Sequence, residues 1–206
     1  MLTGEDTMHQ DFLLVATHYG ANLNPFIRGL VANSEISLNL SPLVYTNSMD
    51  LHSLITACNQ LKKSRVVSDF VLHNHSIQCT DLSNICFFLY YLHEPRDSMT
   101  RLIQEYGYPP QKALDHYAFR LQRLAAMAKN TPKSFLLTYD TLDDLHSKAL
   151  SKSLHLKNPI YFSIEADDKC VPAQGAIADK AERIYQKYLT QMMKSREQFS
   201  EVGSRL

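Results

Sequence analysis

The chain reads as an α/β protein, one domain built on a parallel sheet flanked by helices. Three observations predict that class. Short β-rich apolar runs, Phe12–Thr17 and Ile85–Leu92 among them, alternate with segments whose apolar residues recur at helical spacing. Twice such a run passes through a glycine or a proline into a helix start, at His18–Pro25 and at His93–Arg101. The runs are apolar at consecutive positions, which suits strands covered on both faces.

Asp11-Phe12-Leu13-Leu14-Val15-Ala16-Thr17 predicts the first strand, His18-Tyr19-Gly20-Ala21-Asn22 a turn, and Asn24-Pro25 the start of a helix carrying Phe26, Ile27, Leu30 and Val31. Met49–Lys63 sets Leu51, Leu54, Ile55, Cys58 and Leu61 on one stripe behind a cap at Asn47 or Ser48, a second helix. Arg65–Leu72 predicts a strand running into His73-Asn74-His75. Ile85–Leu92 predicts another, although its length also suits a buried helix. Behind Pro95 a helix carries Met99, Leu102 and Ile103, and Gly107 is placed to end it. Pro109-Pro110 opens a long helix to Lys129, with Leu114, Tyr117, Leu121, Leu124 and Met127 inward and Pro132 as its stop. Ser134–Tyr139 predicts a strand, followed by an acidic helix start at Asp140–Leu145. Leu156–Ala173 is weakly patterned. Gly175–Met193 predicts the last helix, with Ile177, Ala181, Ile184, Tyr185 and Tyr188 on one face. Residues 1–10 and 196–206 are expected to fray.

A length of 206 residues suits a single domain with a full core. Apolar residues at 45% and charged residues at 20% exclude general disorder. With 21 basic and 21 acidic residues, no global field recruits nucleic acid or anionic membrane, so any anion site must be local. No apolar run approaches a membrane-spanning length. Met1–Gln10 is polar and acidic, unlike a signal peptide, and Cys58, Cys79, Cys86 and Cys170 lack a paired short spacing. Reduced thiols and a cytoplasmic setting are the expectation. Tyr106 and Tyr108 permit a partner surface without requiring an oligomer.

The turn Thr17–Leu23 could offer backbone N–H groups and a helix dipole to a phosphate. It lacks the G-x-x-x-x-G-K-[ST] pattern and contains no lysine, so His18, which titrates near neutrality, is its one candidate cation. A plain tight connection is the competing reading. His73 and His75 would point to one side in extended geometry. One of them could act as a base, or the pair could simply bond strand-end backbone. Zinc ligation with Cys79 and Cys86 fits none of the common spacings, so no metal is expected. Arg96 and Arg101 cannot share a helical stripe, but either could clamp a phosphate with its planar donors. Asp97 reads as a helix cap. In Tyr139-Asp140-Thr141-Leu142 the tyrosine could flank a base ring or fill the core edge.

The order of these motifs resembles the sulfotransferases that use 3′-phosphoadenosine 5′-phosphosulfate, from Phe12 to Leu145. His18-Tyr19-Gly20-Ala21-Asn22 stands where that family has a basic-led Ser-Gly-Thr-Thr loop, with only the glycine retained. His73-Asn74-His75 is similar to its basic-x-His. His93-Glu94-Pro95-Arg96-Asp97-Ser98-Met99-Thr100-Arg101 is similar to its R-x-P-x-D-x-x-x-S, with His93 for the arginine and Arg101 for the serine. Tyr139-Asp140-Thr141-Leu142 looks like its Tyr-Glu-Asp-Leu, and the family's basic, glycine-rich C-terminal segment is missing. The resemblance implies a P-loop-like sulfotransferase fold and sulfuryl transfer from that nucleotide, as donor substrate, to a hydroxyl or amine of a small molecule or glycan. It implies His75 as general base and protonated His18 as the loop cation. Tyr19, Gly20, Ala21, Asn22, His93, Arg96, Arg101 and Tyr139 would hold the nucleotide. The losses in the loop leave a second outcome, a catalytically degenerate nucleotide-binding or regulatory domain of the same fold.

Overall fold

The computed structural model of the chain describes residues 12–18, 20–21, 28–30, 32–33, 37–39, 66–70, 86–131, 134–162 and 173–203. Among the described residues, five strands run in chain order: β1 (Phe12–Thr17), β2 (Ser37–Asn39), β3 (Val66–Phe70), β4 (Cys86–Leu92) and β5 (Ser134–Thr138). All neighbours pair in parallel, in the order β2-β3-β1-β4-β5. The apolar runs predicted as strands are strands, because every parallel neighbour requires a crossover that covers a face. The short edge strand β2 is an addition; its three residues carry too little pattern to be read.

This order has a functional consequence. β1 and β4 are adjacent, yet the chain leaves β1 for the β2 edge and leaves β4 for β5 on the other side. Open parallel sheets bind ligands beyond the carboxyl ends of strands at such a switch point.

Among the described residues, four α-helices follow β4: α1 (Pro95–Thr100), α2 (Pro110–Asn130), α3 (Asp144–Ser153) and α4 (Ala176–Gly203). A helical stretch at 28–30 lies within the first predicted helix. α1 continues as one wide π-turn, Arg101–Glu105, and Gly107 follows at φ +68°, where Tyr108 N–H closes on the Leu102 carbonyl. Glycine's tolerance of that conformation ends the helix as its sequence suggests. β5 stops one residue early, because Thr138 caps a 3₁₀ turn, Tyr139–Thr141. α3 starts behind the side chain of Asp143, which accepts the His146 N–H, within the predicted helix start at Asp140–Leu145. α4 keeps helical backbone past Ser195 to Gly203, where fraying was expected. The predicted helix at Met49–Lys63 lies outside the described residues.

β4 divides the core by its two-residue period. Phe88, Tyr90 and Leu92 face α1, α2 and α4 with Met99, Tyr117, Leu121, Ala181 and Tyr185. Phe87, Leu89 and Tyr91 face the other side with Leu30, Leu137, Leu150 and Ile160. Burying one such side chain contributes about 1.5–3 kcal/mol, which decides the register, since a one-residue slip would invert both faces. Tyr90 Oη also bonds Thr131 Oγ1 at 2.8 Å, fastening the end of α2 to the sheet. Among the described residues, no helix is long and apolar enough to cross a membrane.

Candidate functional site

The exits of β1 and β4 meet. Thr17 Oγ1 donates to the Tyr91 carbonyl at 2.9 Å, and His93 N–H donates to His18 Nε2 at 2.9 Å. Ala21 N–H returns to the His18 carbonyl at 3.4 Å, closing a turn in which Gly20 takes φ +76°. A positive φ at the third position of a turn is open to glycine at little cost. The backbone there presses on α1 so closely that a Cβ on Gly20 would overlap the Ser98 carbonyl oxygen. The two motifs singled out in the sequence are therefore in contact.

His18 is buried, 3% exposed, with its ring edge-on to Tyr117 at 5.0 Å. Its Nε2 accepts an N–H and so keeps its lone pair. This differs from the expected protonated cation: burial and an N–H donor both favour the neutral ring. His93 Nδ1 lies 3.2 Å from Tyr91 Oη, and its Nε2 lies 3.8 Å from Asp97 Oδ2.

Glu94, rather than Asp97, caps α1: Glu94 Oε2 accepts the Asp97 N–H at 2.6 Å. Asp97 sits inside the first turn instead. Burial raises the Glu94 carboxyl above its ordinary value, opposed by the N–H groups of Asp97 and Arg96. A carboxylate thus occupies the helix start that the sequence offers to a phosphate. Arg96 reaches Asp179 of α4 at 3.8 Å, and Arg101 reaches Glu105 at 3.5 Å. The two arginines diverge, as their five-residue separation requires.

Tyr139 lies partly buried against the core, its ring tilted over Tyr185 at 6.2 Å. Burial, then Asp140, raises its hydroxyl's pKa above the ordinary value. Tyr117 is fully buried, and its hydroxyl has no hydrogen-bond partner among the described residues. Burial pushes its pKa well above the ordinary value, with Tyr185, Glu94, Glu182 and Tyr139 adding to the effect. Tyr19, Asn22, His73 and His75 lie outside the described residues, so the proposed base has no geometry here.

Sequence reading missed Arg120. It is 2% exposed on the inner face of α2, and its Nε donates to the Thr17 carbonyl at 2.9 Å. The signal was present: Arg120 stands three residues after Tyr117 and four before Leu124, a charge on an apolar stripe.

No family model matches the chain, and no curated protein matches it by sequence. Among solved structures, mouse sulfotransferase SULT7A1 complexed with PAP is similar at 11% identity and TM-score 0.54, covering 96% of this chain and 90% of that one. Retinol dehydratase in a complex with retinol and PAP is similar at 12% identity and TM-score 0.38, covering 93% of this chain and 82% of that one, too low to add to the fold argument. The chain has an α/β fold with a parallel sheet flanked by helices, distantly similar in structure to sulfotransferase-like folds.

Proposed function

We propose that the protein binds a 3′-phosphoadenosine nucleotide at the joined exits of β1 and β4 and transfers its sulfuryl group to a hydroxyl or amine of a small-molecule or glycan acceptor. The observation that supports this is the contact between the two exits: Gly20 against Ser98, and His18 Nε2 receiving the His93 N–H. One ligand could span both turns. In the proposed reaction His75 takes the acceptor proton, and the acceptor's oxygen or nitrogen forms a bond to sulfur as the bond from sulfur to the bridging oxygen breaks. The charge left on that oxygen would fall to the turn's amide groups, with a cation beside them. Arg101 and His93 would face the second phosphate, and Tyr139 the base.

A second reading has its own support. The Glu94 carboxylate on α1 and the carboxylates engaging Arg96 and Arg101 are what a degenerate nucleotide domain would show. Isothermal titration with 3′,5′-adenosine bisphosphate tests the common part, and absence of heat at millimolar ligand would rule out both readings. Binding without transfer from the sulfated donor to a panel of hydroxyl and amine acceptors would leave the second.

A further inference from the structure

The start of α1, the β5 exit, α2 and α4 meet in a seam lined by oxygen atoms. We propose that this seam binds a primary ammonium group, held by the carboxylates of Glu94 and Glu182 and by the buried hydroxyl of Tyr117.

The unusual member is Tyr117 of α2. Its side chain is fully buried, and its hydroxyl has no hydrogen bond among the described residues. A hydroxyl left unpaired at that depth is held there at a cost, which a donor brought by a ligand would remove. After burial itself, Tyr185, Glu94, Glu182 and Tyr139 oppose the ionisation of this hydroxyl, so its oxygen is directed to where those side chains converge. Tyr139 and Tyr185 lie with their rings tilted together at 6.2 Å, and the Tyr185 hydroxyl is beside that of Thr138.

The carboxylates keep capacity for a further partner. Glu94 Oε2 accepts the Asp97 N–H at 2.6 Å, and Glu182 Oε1 accepts from Gln186 Nε2 at 3.0 Å. Each carboxylate has about four lone-pair sites, so neither is saturated. Both act on Tyr117 and on Tyr139. Glu182 and Asp97 act on Glu94, and Asp140 acts on Tyr139 and Tyr185. All of these groups are negative or become so on ionisation. Arg96, the basic side chain that joins α1 to α4, is half exposed and reaches Asp179 at 3.8 Å.

Like-signed groups gathered under partial burial are relieved by a cation. Among the described residues, no group of three or more His, Cys, Asp or Glu side chains is placed to hold a metal ion. An ammonium brings three N–H donors to the two carboxylates and the phenol oxygen. The tyrosine rings offer their faces to its charge and its stem. A phosphate would be repelled here, so the inference stands apart from the nucleotide reading, which it borders at Tyr139.

Isothermal titration of the whole chain with butylammonium chloride at constant ionic strength tests it. The controls are 1-butanol, which lacks the charge, and tetramethylammonium chloride, which lacks the N–H donors. Saturating heat at millimolar butylammonium, with none from either control, is the expected result. Tyr117→Phe removes only the unpaired oxygen. It should leave the urea midpoint unchanged or raised and weaken butylammonium binding about tenfold, the order of one hydrogen bond to a charged group. Glu182→Gln, at a half-buried position, should weaken binding similarly and decides the matter if the phenylalanine variant does not fold. No saturation in the wild type, equal binding of either control, or unchanged affinity in Glu182→Gln would each overturn the inference. So would a folded Tyr117→Phe with a lowered urea midpoint and unchanged affinity, the mark of a hydroxyl satisfied by water. Butylammonium binding without nucleotide binding would remove the proposed function and leave this site standing, and the reverse result would do the opposite.

Discussion

Gly20 carries two constraints at one residue. Its φ of +76° costs a side-chain-bearing residue about 1–2 kcal/mol, and any Cβ would strike the Ser98 carbonyl oxygen, which is backbone and cannot rotate away. Gly20→Ala is expected to lower unfolding stability by at least about 2 kcal/mol in urea denaturation; a neutral variant would show that the turn and α1 are not in contact. Glu94 offers a test by pH. Because burial raises its carboxyl above the ordinary value, folding favours the protonated form. That contribution is fully present below the unfolded glutamate range and is lost as pH rises through the raised value. The wild-type urea midpoint should therefore fall relative to that of Glu94→Gln as pH climbs through the mildly acidic range. Parallel curves would show that the carboxyl is solvated. Glu94 and Asp97 also mark the limit of reading caps from sequence: both can cap, and only backbone geometry selects which does.

At the scale of elements, α4 is the cover for α2 and the end of β4. Ala178, Ala181, Tyr185 and Met192 are buried along it, at the three-, four- and seven-residue separations of one helical face. Its approach is fixed where Thr100 Oγ1 accepts the Ala173 N–H at 2.6 Å while donating to the Arg96 carbonyl at 2.9 Å. Tyr185→Ala should cost about 3–5 kcal/mol of unfolding stability, the range for truncating a buried aromatic ring. A loss below 1 kcal/mol, as an order-of-magnitude threshold for a surface site, would show that α4 packs loosely. α2 itself was legible from Pro110, its inward stripe and its length. The turn after β5 was less so, because Thr138 and Thr141 share a reciprocal cap that depends on their hydroxyls meeting.

For the whole molecule, the sheet order joins residues that are far apart in the chain. His18 and His93 share a hydrogen bond, and Arg120 reaches back to Thr17. A ligand bound across these exits would stabilise both at once. Added at a hundred times its dissociation constant, 3′,5′-adenosine bisphosphate should raise unfolding stability by about 2.7 kcal/mol. A scanning calorimetry trace with an unchanged midpoint would count against the site.

Local composition was enough to determine the α/β class, the strand at Phe12–Thr17, and the helices after Pro95 and Pro110. These depend on periodicity, glycine and proline, all written into adjacent residues. The tertiary structure alone decided that the two turns meet, that His18 accepts a hydrogen bond where a charge was expected, and that a buried arginine from α2 bonds the Thr17 carbonyl. The physical reason is that protonation and ion placement follow from burial and from partners brought near by strand order, which no local spacing encodes.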